Sequence, residues 1–192
     1  MNSLIKFNNC STPTIGVEVE LQIVDKDSMD LYPGAPKILD KFKDNIKVKE
    51  ELLSSIIEIT TGICKDTKEV RSDLAETLCD VIEYSKNCNL ELVSMATHPF
   101  AIWKDQSVTQ NERYIQFLDR MRYPLRRLII TGLHVHIGVE SGEKAIAITN
   151  GLLRYIPMFI AISSNSPFFE GQNTGLASTR TKIFEGLPTA GL

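Results

Sequence analysis

The most regular pattern along the chain is a strict alternation of apolar and polar positions over residues 14–24. Ile15, Val17 and Val19 begin an apolar set that continues at every second position, and small, acidic or amide side chains lie between them. Because successive side chains of a strand point to opposite faces, this period of two predicts a β-strand with one buried face. The polar run that follows predicts a turn, with a short return strand at Leu31 and Tyr32.

Patterns of the same kind predict further strands and helices. Asp66 can cap a long helix, because Glu69 follows three residues later and an apolar stripe begins at Val70. Strands separated by helices of unequal length predict an α+β sheet layered with helices, in a single unit that spans residues 1–192. The other predicted elements are strands at residues 55–60, 90–96 and 128–139 and helices at residues 35–42, 112–121, 141–163 and 179–184.

Composition narrows the class of protein. Hydrophobic residues make up 43% of the chain and charged residues 23%, which is typical of a soluble globular domain. The net charge of −3 and the absence of a basic stripe argue against nucleic acid as a partner. No apolar run is expected to approach the roughly 20 residues that span a bilayer, since Pro157 interrupts the longest one. The four cysteines show no CxxC spacing and are typical of reduced thiols in the cytoplasm.

Glu18 and Glu20 are the first candidates for chemistry. Their spacing on the first strand places both carboxylates on one face, about 7 Å apart along the strand. A solvated sheet face would account for such a pair equally well. Thr14 and Gly16, however, keep that face small, as they would if a ligand approached the backbone.

His134 and His136 form a second pair on one face of a predicted strand. Gly132 and Gly138 flank them and leave the face open. Histidine is the commonest protein ligand of metals, and two on one strand are harder to explain as structural residues than one. The third histidine, His98, is isolated in the sequence and is interpreted as a structural residue.

Glu58 is a single carboxylate among isoleucines, and it would be costly to bury without a compensating charge. Carboxylates that converged with the imidazoles would repel one another unless a divalent cation lay between them. Oxygen-rich ligation without a thiolate favours Mg²⁺ or Mn²⁺ over zinc. Whether these strands are neighbours is left open at this point.

No nucleotide-binding loop of known type is present in the sequence. Neither GxxxxGK[ST] nor GxGxxG occurs, so a bound nucleotide would be held by metals and basic side chains. Arg180 and Lys182 are candidates, although a solvated helix face would also explain them. The sequence also lacks the GxSxG motif that is typical of hydrolases with a covalent intermediate.

Seen together, these residues resemble the type 2 glutamate–cysteine ligases, which are bacterial ATP-dependent carboxylate–amine ligases. The matching blocks follow one another in family order and cover nearly the whole chain from residue 14. The blocks are GVEVEL at 16–21, Glu51, IIEITTG at 56–62, THPF at 97–100, GLHVHIGV at 132–139, SNSPF at 164–168, Thr179 with Arg180, and LPTAG at 187–191.

The resemblance implies a fold and a ligand set. The fold is a glutamine-synthetase-like antiparallel sheet that forms part of a funnel-shaped active site, with flanking helices. The resemblance also implies that His136 faces the nucleotide or substrate and that Arg180 faces a phosphate or a substrate carboxylate. The implied metal ligands are Glu18, Glu20, Glu58, His134 and, as a further acid of the family pattern, Glu51.

The resemblance implies an ATP-dependent amide synthesis. A glutamate-like carboxylate attacks the γ-phosphate of ATP, and the amine of cysteine or a similar molecule then displaces phosphate from the acyl phosphate. Mg²⁺ or Mn²⁺ would neutralise charge on the phosphates, and no nucleophilic side chain is needed. The implied partners are small molecules of glutathione biosynthesis, with neither nucleic acid nor membrane, and a homo-oligomer is left open.

The length of the chain leaves the activity open. Family members are roughly twice as long, so this chain corresponds to their N-terminal half and is expected to be truncated. A catalytically incomplete metal-binding fragment is therefore the alternative function. A cupin-like metal oxygenase is less favoured. His134, His136 and Glu140 have its spacing, but a second cupin motif is missing and Ser141 opens a predicted helix.

Overall fold

The computed structural model describes residues 6–188, and these form an antiparallel sheet with helices on both faces. The five strands are β1 (Thr14–Asp25), β2 (Val48–Glu50), β3 (Ile56–Thr60), β4 (Leu90–Val93) and β5 (Leu133–Gly138). They lie in the order β2, β3, β1, β4, and β5 also pairs with β1. The predicted antiparallel sheet with flanking helices is confirmed.

β1 is the central strand and is long enough to serve three neighbours. Its middle pairs with β3, where Glu20 lies opposite Glu58. On the other edge its first half pairs with β5, where Glu18 lies opposite His134, and its last residues pair with β4. The alternation predicted for β1 is confirmed, since its odd-numbered apolar side chains share one face and the two glutamates share the other.

The described part of the chain contains seven α-helices. Asp66 caps α2 as predicted, because its carboxylate accepts hydrogen bonds from the backbone N–H groups of Lys68 and Glu69. Glu69 closes the cap by accepting from the N–H of Lys65 at 2.8 Å. The helices are α1 (Ala35–Lys41), α2 (Thr67–Asn87), α3 (Glu112–Met121), α4 (Tyr123–Arg126), α5 (Gly142–Leu152), α6 (Ile156–Ser163) and α7 (Thr179–Glu185).

Two apolar cores lie on opposite faces of β3. Ile57 and Ile59 pack with α1 and α2 on one face and are fully buried. Ile56 faces the other way and joins a second core that contains Leu125 and Ile129. Glu58 points to this second face, so the carboxylate side of the sheet is supported by the second core.

The segment from α5 to α6 packs differently from the other helices. The two helices are joined by a 3₁₀ turn, and Pro157 lies in the first turn of α6. By length and composition this segment, Gly142–Ser163, is able to cross a membrane, which corrects the prediction that no apolar run approaches that length. Length and composition alone are weak evidence, because a core helix of a soluble protein meets both criteria.

The structure departs from the predicted elements in several places. β5 starts at Leu133, five residues later than predicted, because Ile129 enters the second core and Leu128 packs against that core instead. The return strand at Leu31 is reduced to a single bridge with Val24. The strand β2 and a short hairpin of β6 (Phe168–Phe169) and β7 (Gln172–Asn173) were not predicted. The last three residues of the LPTAG block lie outside the described residues.

Candidate functional site

Three carboxylates meet where the β2–β3 hairpin pairs with β1. Glu20 on β1 and Glu58 on β3 are directly opposite each other in the ladder, and Glu51 follows the end of β2. One oxygen atom from each of the three lies within 4.8 Å of the other two. The hairpin therefore brings together two acids that are seven positions apart in the sequence and a third from another strand.

The two imidazoles lie beside this carboxylate cluster on β5. His134 places Nδ1 3.1 Å from Glu18 Oε2 and Nε2 3.9 Å from Glu20 Oε1. His136 places Nε2 3.1 Å from the same oxygen of Glu18. Glu18 thus contacts both imidazoles, and His134 lies between the two glutamates of β1.

The electrostatics of the carboxylate cluster reflect burial and like charge. Burial, together with the negative charge of Glu51, raises the pKa of Glu20 to about 6. Burial also raises the pKa of Glu51. For Glu18, burial acts to raise the pKa, but hydrogen bonds from His136 and His134 outweigh it, and the pKa is lowered. Glu20 and Glu51 therefore lack enough nearby positive charge to stabilise their carboxylates, whereas His134 and His136 stabilise the carboxylate of Glu18.

Lys49 supplies the positive charge nearest to Glu58. It lies opposite Glu58 in the β2–β3 ladder, and its Nζ is 3.2 Å from Glu58 Oε1. Glu58 is only 9% exposed, so this pairing accounts for an acid among isoleucines. Lys49 is not among the site residues predicted from the sequence. The alternation of Ile46 and Val48 with lysines is typical of a strand, but only the structure gives the register that pairs Lys49 with Glu58.

A cavity of about 480 Å³ opens beside the cluster. Glu18, Glu51 and Glu58 line one part of its wall, and Arg113 and Tyr114 of α3 line another. Burial, with the nearby charge of Glu51, raises the pKa of the Tyr114 phenol to about 12. The cavity therefore combines acidic, basic and aromatic side chains. Arg113 and Tyr114 are not among the site residues predicted from the sequence.

Arg180 reaches the other side of the cluster from α7. Its Nε donates to the backbone oxygen of Thr131 at 2.7 Å. A Cβ at Gly132 would come within 2.8 Å of the guanidinium and 3.3 Å of His134 Nε2, so a larger residue there would displace the end of the Arg180 side chain. Gly132 in turn donates its N–H to Glu20 Oε2 at 2.7 Å. Arg180 is thereby held close to Glu20 and His134.

The structure gathers all seven predicted site residues into one region. The tightest group is Glu20, Glu51 and Glu58, and Glu18, His134, His136 and Arg180 lie around it. Lys182 does not join them, because it pairs with Glu185 on the surface of α7. His98 is fully buried, and both of its ring nitrogens are within hydrogen-bond distance of backbone groups, which agrees with its interpretation as a structural residue.

Chemically, this arrangement is suited to a hard cation. Three carboxylates offer oxygen ligands at mutual distances that one divalent ion can bridge, and an imidazole lies next to them. The raised pKa values of Glu20 and Glu51 indicate that positive charge is lacking near these carboxylates. A bound cation would supply that charge.

Comparison with known proteins decides the family. The model of glutamate–cysteine ligase family 2 matches residues 14–192. The chain belongs to this family. A relative from Gloeobacter violaceus is 42% identical over 98% of the chain, and one from Thermobifida fusca is 40% identical over 97%. Both relatives are provisionally named glutamate–cysteine ligase 2.

A solved structure supports the fold of this family member. The glutamate–cysteine ligase of Francisella tularensis, crystallised in complex with AMP, matches 76% of this chain and 30% of its own with a TM-score of 0.50. The sequences are 14% identical, so this likeness concerns the fold alone. The chain spans about half the length of the curated relatives it matches, at 52% and 48%.

Proposed function

We propose that this chain forms the metal-binding and nucleotide-binding part of an ATP-dependent carboxylate–amine ligase of the glutamate–cysteine ligase type. The observation that carries the proposal is the convergence of Glu20, Glu51 and Glu58, with His134 beside them. Family membership supports a ligase, and these side chains would supply the metal ligands that phosphoryl transfer from ATP uses.

The carboxylates would hold Mg²⁺ or Mn²⁺. Glu20, Glu51 and Glu58 provide the inner oxygens, while Glu18 and His134 extend the set along the edge of β1 and β5. When bound, such ions neutralise charge on the phosphates of ATP. The donor set fits, because it is rich in carboxylate oxygen and contains no thiolate.

The side chains around the cluster would orient the substrates. Arg180 lies near Glu20 and can pair with a phosphate or a substrate carboxylate, and His136 has an exposed imidazole that can face the nucleotide. Arg113 and Lys49 line the adjoining cavity and can pair with a second anionic group. AMP in the Francisella structure supports a nucleotide of the same kind here.

The reaction needs no nucleophilic side chain. A carboxylate oxygen of a glutamate-like substrate forms a bond to the γ-phosphorus of ATP, and ADP leaves. The amine of cysteine or a similar molecule then bonds to the acyl carbon, phosphate leaves and the amine loses a proton. The protein contributes positioning and charge, which are the main demands of phosphoryl transfer.

A second candidate function is a metal-binding fragment that does not catalyse the reaction. It is favoured by the coverage of the relatives, since the chain contains only about half of their length. In either case the proposed ligands are small molecules of glutathione biosynthesis. A cytoplasmic location and a homo-oligomer stay predictions.

The test combines product formation with metal binding. The purified chain is incubated with ATP, Mg²⁺, glutamate and cysteine, and γ-glutamylcysteine and ADP are measured by mass spectrometry. Mn²⁺ binding is measured in parallel by calorimetry on the original chain and on Glu20→Gln. Glu83→Gln, an exposed carboxylate of α2, serves as the matched control.

The two measurements separate the two functions. Product that is lost in Glu20→Gln and kept in Glu83→Gln supports the ligase. Mn²⁺ binding that depends on Glu20 in the absence of product supports the incomplete fragment. Equal Mn²⁺ affinity in all three proteins would contradict both candidates, because neither can do without the carboxylate cluster.

A further inference from the structure

β5 has a free edge in the described part of the chain. Glu20 N–H donates to the oxygen of Gly132, so the ladder to β1 uses the peptide groups of the even-numbered residues, such as His134. The peptide groups of Leu133, Val135 and Ile137 therefore point away from β1. Among residues 6–188 no backbone group pairs with them. An unpaired edge of this kind can accept another strand.

One face of β5 is also uncovered. Leu133, Val135 and Ile137 continue the apolar face of β1, where Val17 lies opposite Val135. Val17 is 6% exposed under α2, whereas the three β5 side chains are 52–63% exposed. The apolar layer of the sheet thus extends one strand further than the helix that covers it.

The α5–α6 segment is exposed as well. None of its positions is buried, although its sequence is apolar enough for a membrane-spanning helix. A helix that is apolar all round needs neighbours on more than one side. The large exposed side chains of the segment are Ile146, Ile148, Leu152, Leu153, Tyr155, Ile156, Met158, Phe159, Ile160 and Ile162.

Two observations indicate what covers these surfaces. The curated relatives carry about as much chain again beyond the part that this chain matches. The uncovered strand is also part of the candidate site, since His134 and His136 lie on its opposite face. A strand added to the edge of β5 would place its own side chains beside those histidines.

We propose that the free edge and apolar face of β5, together with α5 and α6, dock a polypeptide that carries the other half of the ligase fold. One strand of that half pairs with β5 and continues the sheet, and α5–α6 is buried between the two halves. This inference rests on membership of the family and not on the ligase reaction. An exposed apolar area of this extent is typical of a protein interface.

The test is co-expression of the 192-residue chain with the unmatched half of the Gloeobacter violaceus relative. The expected result is a 1:1 complex in native mass spectrometry, with slowed amide exchange in β5 and α5–α6. Val135→Lys should weaken the complex about tenfold or more, because it places a charge in the interface. Ile46→Lys is the matched control, since Ile46 is 87% exposed just before β2, at the opposite edge of the sheet.

If the added half does not fold alone, a covalent chimera tests the same proposal. In this chimera the unmatched half of the Gloeobacter relative is fused after residue 192, and amide exchange is measured at Leu133, Val135 and Ile137. Slower exchange in the chimera than in the chain alone supports the docking surface. Equal exchange overturns it, and so does equal weakening by Val135→Lys and Ile46→Lys.

Two other occupants would also overturn the proposal. One is a second copy of this chain, seen as a stable dimer that the added half does not dissociate. The other is a membrane, seen as binding of α5–α6 to lipid vesicles without binding to the added half. Mn²⁺ affinity at Glu20 is measured separately, so loss of docking and loss of the proposed function are distinguishable.

Discussion

β3 and β5 both border β1 and both carry residues of the candidate site, but they are packed very differently. All five positions of β3 are buried, with α1 and α2 on one face and the second core on the other. In β5, five of the six positions are exposed, and its backbone pairs with β1 alone among the described residues. One side of the site is held by a core, and the other is held by a single ladder.

This difference in packing separates the carboxylates of the candidate site from its imidazoles. Glu58 is fixed by its strand, by Lys49 and by the core behind Ile57. His134 and His136 are held by the pairing with β1 and by contacts to the glutamates of that strand. Elements with few buried contacts open most easily, so the carboxylate side should persist when the imidazole side fluctuates.

The largest expected effect is a difference in the free energy of unfolding between a substitution in β3 and one in β5. Ile57→Ala removes a fully buried side chain from the core and should lower the free energy of unfolding by about 2–5 kcal/mol. Val135→Ala removes an exposed side chain and should change it by at most about 0.5 kcal/mol. Urea unfolding followed by circular dichroism measures both. Similar losses in the two variants would mean that β5 is packed in solution.

Removing a helix cap should have a smaller effect on the free energy of unfolding, and this effect should again differ between the packed helix α2 and the exposed helix α5. Asp66→Ala leaves two backbone N–H groups of α2 without their acceptor and should cost about 1 kcal/mol. Ser141→Ala removes the cap of α5, where the Ser141 hydroxyl accepts from Lys144 N–H at 3.2 Å. Because α5 is exposed, this loss should fray the helix locally and leave the urea midpoint almost unchanged. A shift as large as that of Asp66→Ala would show that α5 unfolds together with the core.

Much of the packed side of the molecule, which comprises β1, β3 and α2, could be predicted from the sequence. The alternation around Glu18 and Glu20 was long enough to fix both the strand and its faces, and the cap at Asp66 located α2. The family pattern named Glu51 as a further acid. Its position beside Glu58 depends on the β2–β3 register, which pairs Lys49 with Glu58 and which no local pattern shows.

The sequence was less informative about the exposed side. The pattern around His134 predicted a strand but could not show that its apolar face lacks a cover. It also placed the start of that strand too early, because Ile129 and Ile130 are as apolar as Val135. Whether an apolar residue enters a core or a strand depends on non-local packing. The α5–α6 segment likewise has a clear helical pattern, and only the structure shows that nothing in residues 6–188 covers it.

The smallest expected effect is a pH dependence that originates in the packed region. His98 is the one histidine outside β5, and burial lowers its pKa below the ordinary value. Its Nδ1 accepts the N–H of Ala101 at 3.1 Å, which leaves Nε2 to donate to the oxygen of Met29 at 2.9 Å. A proton added at Nδ1 would break the first hydrogen bond and bury a charge.

The sign of the effect follows from the proton balance. Below about pH 6.5 the unfolded chain binds a proton at His98 that the folded chain resists. The stability contributed by neutral His98 is therefore complete above pH 6.5 and is lost as the pH falls toward the lowered pKa, with a slope of at most about 1.4 kcal/mol per pH unit. His98→Gln cannot titrate, so the slope between pH 5 and 6.5 should become shallower in urea titrations. An unchanged slope in His98→Gln would mean that His98 does not contribute to the pH dependence of the free energy of unfolding.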